Sequence, residues 1–116
     1  MQPDQRVSDA ANDLWQPGFR ALADPTRRRI LQLLAQDDMT IAEVAENFQI
    51  TRAAVKKHLT VLAEGDLITV QAEGRTRRNA LNPEGLRRVF DWFGFFDAFW
   101  DDRLNSLKSE IEKDMQ

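Results

Sequence analysis

Residues 40–65 read TIAEVAENFQITRAAVKKHLTVLAEG, two short amphipathic periods separated by a tight connection. Thr40 followed by Glu43 is a capping box, in which hydroxyl and carboxylate each take up a free amide of the first helical turn. The helix it opens places Ile41, Val44 and Ala45 on one face and ends near Asn47. Thr51 can cap a second helix in which Val55, Leu59 and Leu62 recur at i, i+4 and i+7, and Gly65 stands where a left-handed C-terminal residue is wanted. Two short helices so joined read as a helix-turn-helix over 40–65.

Downstream, Leu67 to Ala72 has strand composition, Glu73-Gly74-Arg75 is a turn, and Thr76 to Leu81 can return as the antiparallel partner, so 67–81 is expected to be a wing. Asn82-Pro83 is a cap-plus-proline start. Helical periodicity then runs over 83–113 through Leu86, Val89, Phe90, Phe93, Trp100, Leu104, Leu107 and Ile111. Upstream, Asp24-Pro25 starts a helix whose buried stripe is Ile30, Leu31, Leu33 and Leu34, with Asp37-Asp38 at its end. Residues 1–18 form an N-terminal arm or short helix, with Val7, Ala10, Ala11 and Leu14 at helical spacing, that Pro17-Gly18 stops. The expected fold class is α+β, mostly helical: a single winged helix-turn-helix domain over 1–116, with a two-stranded β-hairpin wing and a long C-terminal dimerisation helix.

The 116 residues suit one core, and 42% apolar with 30% charged residues describes a chain that folds and stays soluble. The chain has no cysteine and one histidine, so no disulfide framework, thiolate zinc site or thiol sensor is expected, and no metal or cofactor. No constellation for catalysis is evident, and the expectation is that the chain is not an enzyme. No signal-peptide-like or bilayer-spanning stretch is found, so a cytoplasmic protein without membrane contact is expected. The net charge is −3 but unevenly spread: residues 51–90 carry +4 and residues 91–116 carry −4. The middle is the candidate anion-binding face and the C-terminal segment should point away from phosphates.

On the helix after Thr51, the side chains of Ala53, Lys56, Lys57 and Thr60 lie across from the apolar stripe. That face suits the major groove of double-stranded DNA, where Lys donates to guanine or phosphate, Thr serves several bases and an alanine methyl meets a thymine methyl. Arg52 adds a bidentate donor near the helix start. The bland alternative is a merely solvated face, but the helix is the second of a helix-turn-helix and a hairpin with Arg75, Arg77 and Arg78 follows at once. Arg75 and Arg77 share a face and are candidates for phosphate or minor-groove contact, with Arg78 on the other side. The expected DNA-binding set is therefore Thr51, Arg52, Ala53, Lys56, Lys57, Thr60, Arg75 and Arg77. His58 is expected half-buried and satisfied, and Arg27, Arg28 and Arg29 are expected to form surface salt bridges, with a phosphate contact open to one of them.

The last helix carries Trp92, Phe95, Phe96 and Phe99 off its main apolar stripe, and a helix apolar over so wide an arc is normally buried twice. One side closes the domain and the other needs a partner, most economically the same helix of a second subunit. The expected homodimer interface comprises Leu14, Trp92, Phe95, Phe96, Phe99, Trp100 and Leu107. An aromatic ligand pocket is the alternative use of these rings, and Gly94 marks a bend or close approach.

From about Phe19 to Lys113 the sequence resembles the ArsR family of bacterial winged-helix repressors. The resemblance rests on Ala21-Leu22-Ala23-Asp24-Pro25-Thr26-Arg27, on Ala54-Val55-Lys56-Lys57-His58-Leu59 with Val61-Leu62, on Glu73-Gly74-Arg75 with Arg77, and on Leu81-Asn82-Pro83, in order and at the right spacing. It implies a homodimer held by the first and last helices, binding an inverted repeat and usually repressing its own operon. Many members release DNA on binding a metal; the cysteine pair that such sensors carry would fall within Thr40 to Ala45, where there is none. Phe99-Trp100-Asp101-Asp102-Arg103-Leu104 looks like a branch of the family without a thiolate metal site. Lys56 and Gln49 replace a small polar residue and a turn glycine of the family's pattern. The rival function from another class is a winged helix used as a protein interaction module, with the acidic C-terminal helix as its surface.

Overall fold

Asp24, Thr40 and Thr51 each begin a helix by the same device. Asp24 Oδ2 accepts the Arg27 amide at 3.0 Å and Thr51 Oγ1 accepts that of Ala54 at 3.1 Å. Thr40 and Glu43 form the reciprocal box, with Glu43 N donating to Thr40 Oγ1 at 3.2 Å and Thr40 N to Glu43 Oε1 at 3.1 Å. The computed structural model describes residues 5–115, with side chains from Leu14 onward, so the expected apolar positions Val7, Ala10 and Ala11 lie outside the described side chains. In chain order the elements are α1 (Gln5–Leu22), α2 (Pro25–Leu34), β1 (Met39–Thr40), α3 (Ile41–Ala45), α4 (Arg52–Glu64), β2 (Ile68–Glu73), β3 (Thr76–Leu81), α5 (Pro83–Trp92), a 3-10 turn (Phe93–Phe96) and α6 (Asp97–Asp114).

The core is built from the stripes the periodicity marks: Ile30, Leu31 and Leu34 of α2, Val44 of α3, and Val55, Leu59 and Leu62 of α4. Ala21, Leu67, Ile68 and Val89 close it. Burial of each large aliphatic contributes about 1.5–3 kcal/mol. The sheet is antiparallel in the order β1-β3-β2, with Ile68 opposite Leu81 through to Glu73 opposite Thr76. Gly74 takes a φ of +62° at the turn, which a residue without Cβ adopts freely. The wing is therefore a hairpin as expected, but β1 adds a third strand, Met39 pairing with Asn79 and Thr40 with Arg78. Two residues of strand carry too little periodicity to be read from sequence.

Several expectations need correction. α1 does not stop at Pro17-Gly18; the proline sits inside a helix that continues to Leu22. An interior proline costs one backbone hydrogen bond and a ring clash, about 3 kcal/mol, but Phe19, Ala21 and Leu22 beyond it join or line the core. Gly65 is not left-handed, having φ −82°; that role falls to Asp66, with φ 60°. The glycine is required for space, since a Cβ there would lie 2.7 Å from the Pro17 carbonyl oxygen. Pro83 opens α5 as expected, yet Asn82 makes no side-chain cap; its Nδ2 donates instead to the Asp66 carbonyl at 2.9 Å.

The long last helix is interrupted. Phe93–Phe96 winds as 3-10 around Gly94, and Phe96 leaves helical geometry with φ −104° and ψ 7°. Glycine weakens the helix there by about 1 kcal/mol, and edges of the aromatic rings on either side of it rest on α1 while Phe93, Phe95 and Phe96 stay exposed. Phe19 meets Trp92 edge-on at 5.4 Å and Phe93 at 6.3 Å, and Trp15 meets Phe95 at 5.7 Å. Phe90, on the expected stripe, is 73% exposed.

Candidate nucleic-acid interface

α4 is an exposed face above a buried one. Val55, Leu59 and Leu62 are buried, while Thr51, Arg52, Ala53, Lys56, Lys57 and Thr60 are all exposed, as are Arg75 and Arg77. At about 100° per residue, Arg52, Lys56 and Thr60 lie on the flank turned toward the wing, and Ala53 and Lys57 lie farther round. The groove between α4 and the wing confirms the first half of that division. It holds about 380 Å³ and is lined by Thr40, Ile41, Ala42, Arg52, Lys56, Arg75, Thr76 and Arg77, four cations without a carboxylate. Lys57 is not part of this lining and stands on the outer face of the helix. Among the described residues, none of Arg52, Lys56, Lys57, Arg75 and Arg77 forms an ion pair.

Two hydroxyls of the set are partly committed. Thr51 Oγ1 accepts the cap hydrogen bond and keeps its own proton to donate, whereas Thr60 Oγ1 donates to the Lys56 carbonyl at 2.9 Å and keeps acceptor capacity. A second cleft of about 370 Å³ adjoins the groove and shares Lys56 and Arg77 with it; Leu59, Thr60 and Glu64 of α4 and Val70 and the buried Asn79 of the wing complete its walls. Asn79 Nδ2 donates to the Met39 carbonyl at 3.1 Å, which fastens β1 to the wing.

Arg78 has a structural role that its place in a basic run conceals. Its guanidinium reaches Glu43 Oε1 at 3.4 Å, Glu73 Oε2 at 3.2 Å and the Asp38 carbonyl at 3.3 Å. One side chain thereby ties the start of α3 to both strands of the wing. The signal in the sequence is the capping-box glutamate, whose Oε1 accepts the Thr40 amide and is shared with Arg78. The Thr40 amide is the main cause holding the Glu43 carboxyl below its ordinary value, with Arg78 adding to it.

The arginine run on α2 also departs from expectation. Among the described residues Arg27, Arg28 and Arg29 form no salt bridges with carboxylates. Arg27 donates to the carbonyls of Ala21 and Arg20 at 2.8 and 2.9 Å, and Arg28 to that of Leu22 at 2.8 Å. They satisfy the free carbonyls at the negative end of α1. Arg29 lies over the Phe48 ring at 5.0 Å. His58 is half-buried as expected, with Nδ1 3.4 Å from Arg27 Nη1 and 3.9 Å from Asp24 Oδ2. Among the described residues no cluster of three or more metal-ligating side chains occurs, and no helix is long and apolar enough to cross a membrane.

The expected interface residues spread over two places. Trp92 is half-buried on Phe19 of its own chain, whereas Leu14, Phe95, Phe96, Phe99, Trp100 and Leu107 are exposed. Every residue of α6 is exposed, including Leu104 and Ile111, which belong to the same apolar surface.

A helix-turn-helix whose second helix and β-wing flank one cationic groove defines a winged-helix regulator. A helix-turn-helix domain model matches residues 22–71. The transcriptional repressor SdpR of Bacillus subtilis is 36% identical over 74 residues, covering 64% of this chain and 82% of its own. The HTH-type transcriptional regulator Rv2034 of Mycobacterium tuberculosis is 32% identical over 96 residues, 83% of this chain and 87% of its own. Among solved structures, an ArsR-like transcriptional regulator from Rhodococcus sp. RHA1 superposes with a TM-score of 0.70 at 28% identity, over 86% of this chain and 94% of that one. The chain belongs to the ArsR family of winged-helix transcriptional regulators. Regulators and repressors of transcription among its relatives do not favour the reading of the fold as a bare protein interaction module.

Proposed function

We propose that this protein is a homodimeric transcriptional repressor that places α4 in the major groove of an inverted-repeat operator and the β2–β3 wing on the adjacent backbone. The observation that carries the assignment is the groove in which Arg52, Lys56, Arg75 and Arg77 converge without a counter-charge. On this geometry Lys57 and Ala53, outermost on α4, read base edges, with Thr60 beside them on the wing side. Lys56 and Arg52 on the wing side share the phosphate with Arg75 and Arg77, and Arg52 at the helix start is also within reach of a base. The remaining exposed aromatic surface supports the dimer, since single apolar faces of this extent mark interfaces. With one histidine and no cysteine in the chain, the reading assigns it no catalytic step, cofactor or thiolate metal site, and places it in the cytoplasm with the DNA of a bacterial cell.

The test is a binding series on a selected operator and on random duplex over a range of salt. Arg75→Ala and Arg77→Ala are expected to weaken both duplexes alike and to reduce the log–log salt slope by about 0.9 per lost phosphate contact. Lys57→Ala is expected to cost about 1–3 kcal/mol on the operator and little on random DNA. Equal losses on both duplexes for every substitution would overturn the division of roles, and an affinity independent of salt would overturn DNA binding itself.

A further inference from the structure

The inner face of β2 loses its packing partway along. Ile68 and Val70 alternate onto the same side of the sheet, yet Ile68 is 3% exposed and Val70 43%. Beyond Ile68 the sheet parts from α4 and leaves the cleft of about 370 Å³ that adjoins the groove, a volume within the range of small-ligand pockets, roughly 300–1,000 Å³. Its floor is apolar, made of Ile41 of α3, Leu59 and Ala63 of α4, and Val70. One wall is fixed in advance, because the Asn79 amide is held on the Met39 carbonyl at 3.1 Å. Lys56 and Arg77 stand where the cleft opens to the groove, since both line the two. Thr60 has already given its proton to the Lys56 carbonyl. Glu64 lies eight residues beyond Lys56 on α4, about 12 Å along the helix axis. Among the described residues none of Lys56, Arg77 and Glu64 forms an ion pair.

We propose that this cleft binds a small amphiphilic carboxylate, its head held between Lys56 and Arg77 and its hydrocarbon body laid along Leu59, Ala63 and Val70. Charge sets the direction. A head at the far end would meet the Glu64 carboxylate, whereas a head at the groove end has two cations beside it and Glu64 beyond the screening length, about 8 Å at physiological salt. Covering the floor removes apolar surface of both partners from water, and the two cations hold the head by charge-assisted hydrogen bonds. A DNA phosphate matches the charge but brings nothing to lay along Leu59, Ala63 and Val70. An occupied cleft withdraws Lys56 and Arg77 from the groove, so ligand and operator compete. That consequence, unlike the binding itself, rests on the DNA reading above.

Calorimetric titration of the full chain with octanoate is expected to show one site per chain. Acetate, which lacks the body, and octanol, which lacks the charge, are each expected to bind weaker by about tenfold. Ala63→Leu, which fills the cleft, and Val70→Asn, which makes its floor polar, are expected to lower octanoate affinity by about tenfold and to leave operator affinity without octanoate unchanged. Saturating octanoate is expected to weaken operator binding by the unsubstituted protein and to reduce its log–log salt slope by about 0.9 for each of the two cations engaged. Octanoate that fails to saturate, or that binds both variants as tightly as the unsubstituted protein, overturns the site. Acetate or octanol equal to octanoate overturns the class of ligand, and operator affinity indifferent to octanoate overturns the competition. A protein that takes up octanoate but binds no duplex overturns the DNA reading and leaves the cleft, whereas one that binds duplex but not octanoate overturns the cleft alone.

Discussion

Asp24 caps α2 through the Arg27 amide and also lies 3.9 Å from His58 Nδ1 on α4, so one carboxylate serves a helix end and the seat of α4. Asp24→Ala is expected to cost about 1 kcal/mol, read as a lower midpoint in urea at unchanged slope. The Arg27 amide, its largest cause, holds the Asp24 carboxyl below its ordinary 3.8, and the Thr40 amide does the same to Glu43 below 4.5. Each group binds fewer protons folded than unfolded, so its contribution is complete above those ordinary values. It is lost as pH falls through the lowered folded ones. Unfolding midpoints from about pH 6 down to about pH 3 are expected to decline, and less steeply in Asp24→Asn. Both caps were legible as Asp-Pro and Thr-x-x-Glu because they are local. The role of Gly65 was not, since the Pro17 carbonyl that excludes a side chain lies 48 positions away in sequence.

At the scale of elements, the helix-turn-helix stands where its apolar periods put it, and the wing is a hairpin because its alternating strands flank a glycine turn. The two are joined by β1–β3 pairing, by Asn79 on the Met39 carbonyl and by Arg78, which bridges Glu43 of α3 and Glu73 of β2. These are part-exposed contacts, and Arg78→Met is expected to cost the fold no more than about 1 kcal/mol. The same change removes the side-chain tie between the wing and α3, so operator affinity is expected to fall with little change in thermal unfolding; unchanged affinity would show that the strand pairing alone orients the wing. Periodicity misled at both ends of the chain. It read Pro17 as a stop and the segment after Pro83 as one helix, because it weighs neither the burial that carries α1 past its proline nor the aromatic packing that winds Phe93–Phe96 into a tighter turn.

For the whole molecule, the body of the domain is closed by its own core while α6 presents Phe99, Trp100, Leu104, Leu107 and Ile111 to solvent. Leu107→Glu is expected to convert a particle of about twice the 13.4 kDa chain mass into one of that mass, with helical content retained, because the side chain is 54% exposed within the single chain. A dimer of unchanged strength would place the interface elsewhere on the molecule. The amino-acid sequence by itself determined the helix starts, the buried stripes, the hairpin and the cationic outer face of α4, since each is written in residues a few positions apart. Only the tertiary structure decided that Arg52, Lys56, Arg75 and Arg77 share a groove from which Lys57 is absent, that Arg78 is consumed between α3 and the wing, and that Trp92 turns inward. Those outcomes depend on how α4, the sheet and α1 approach one another, and the angles of approach are set by the close packing of side chains from distant segments, which no local pattern encodes.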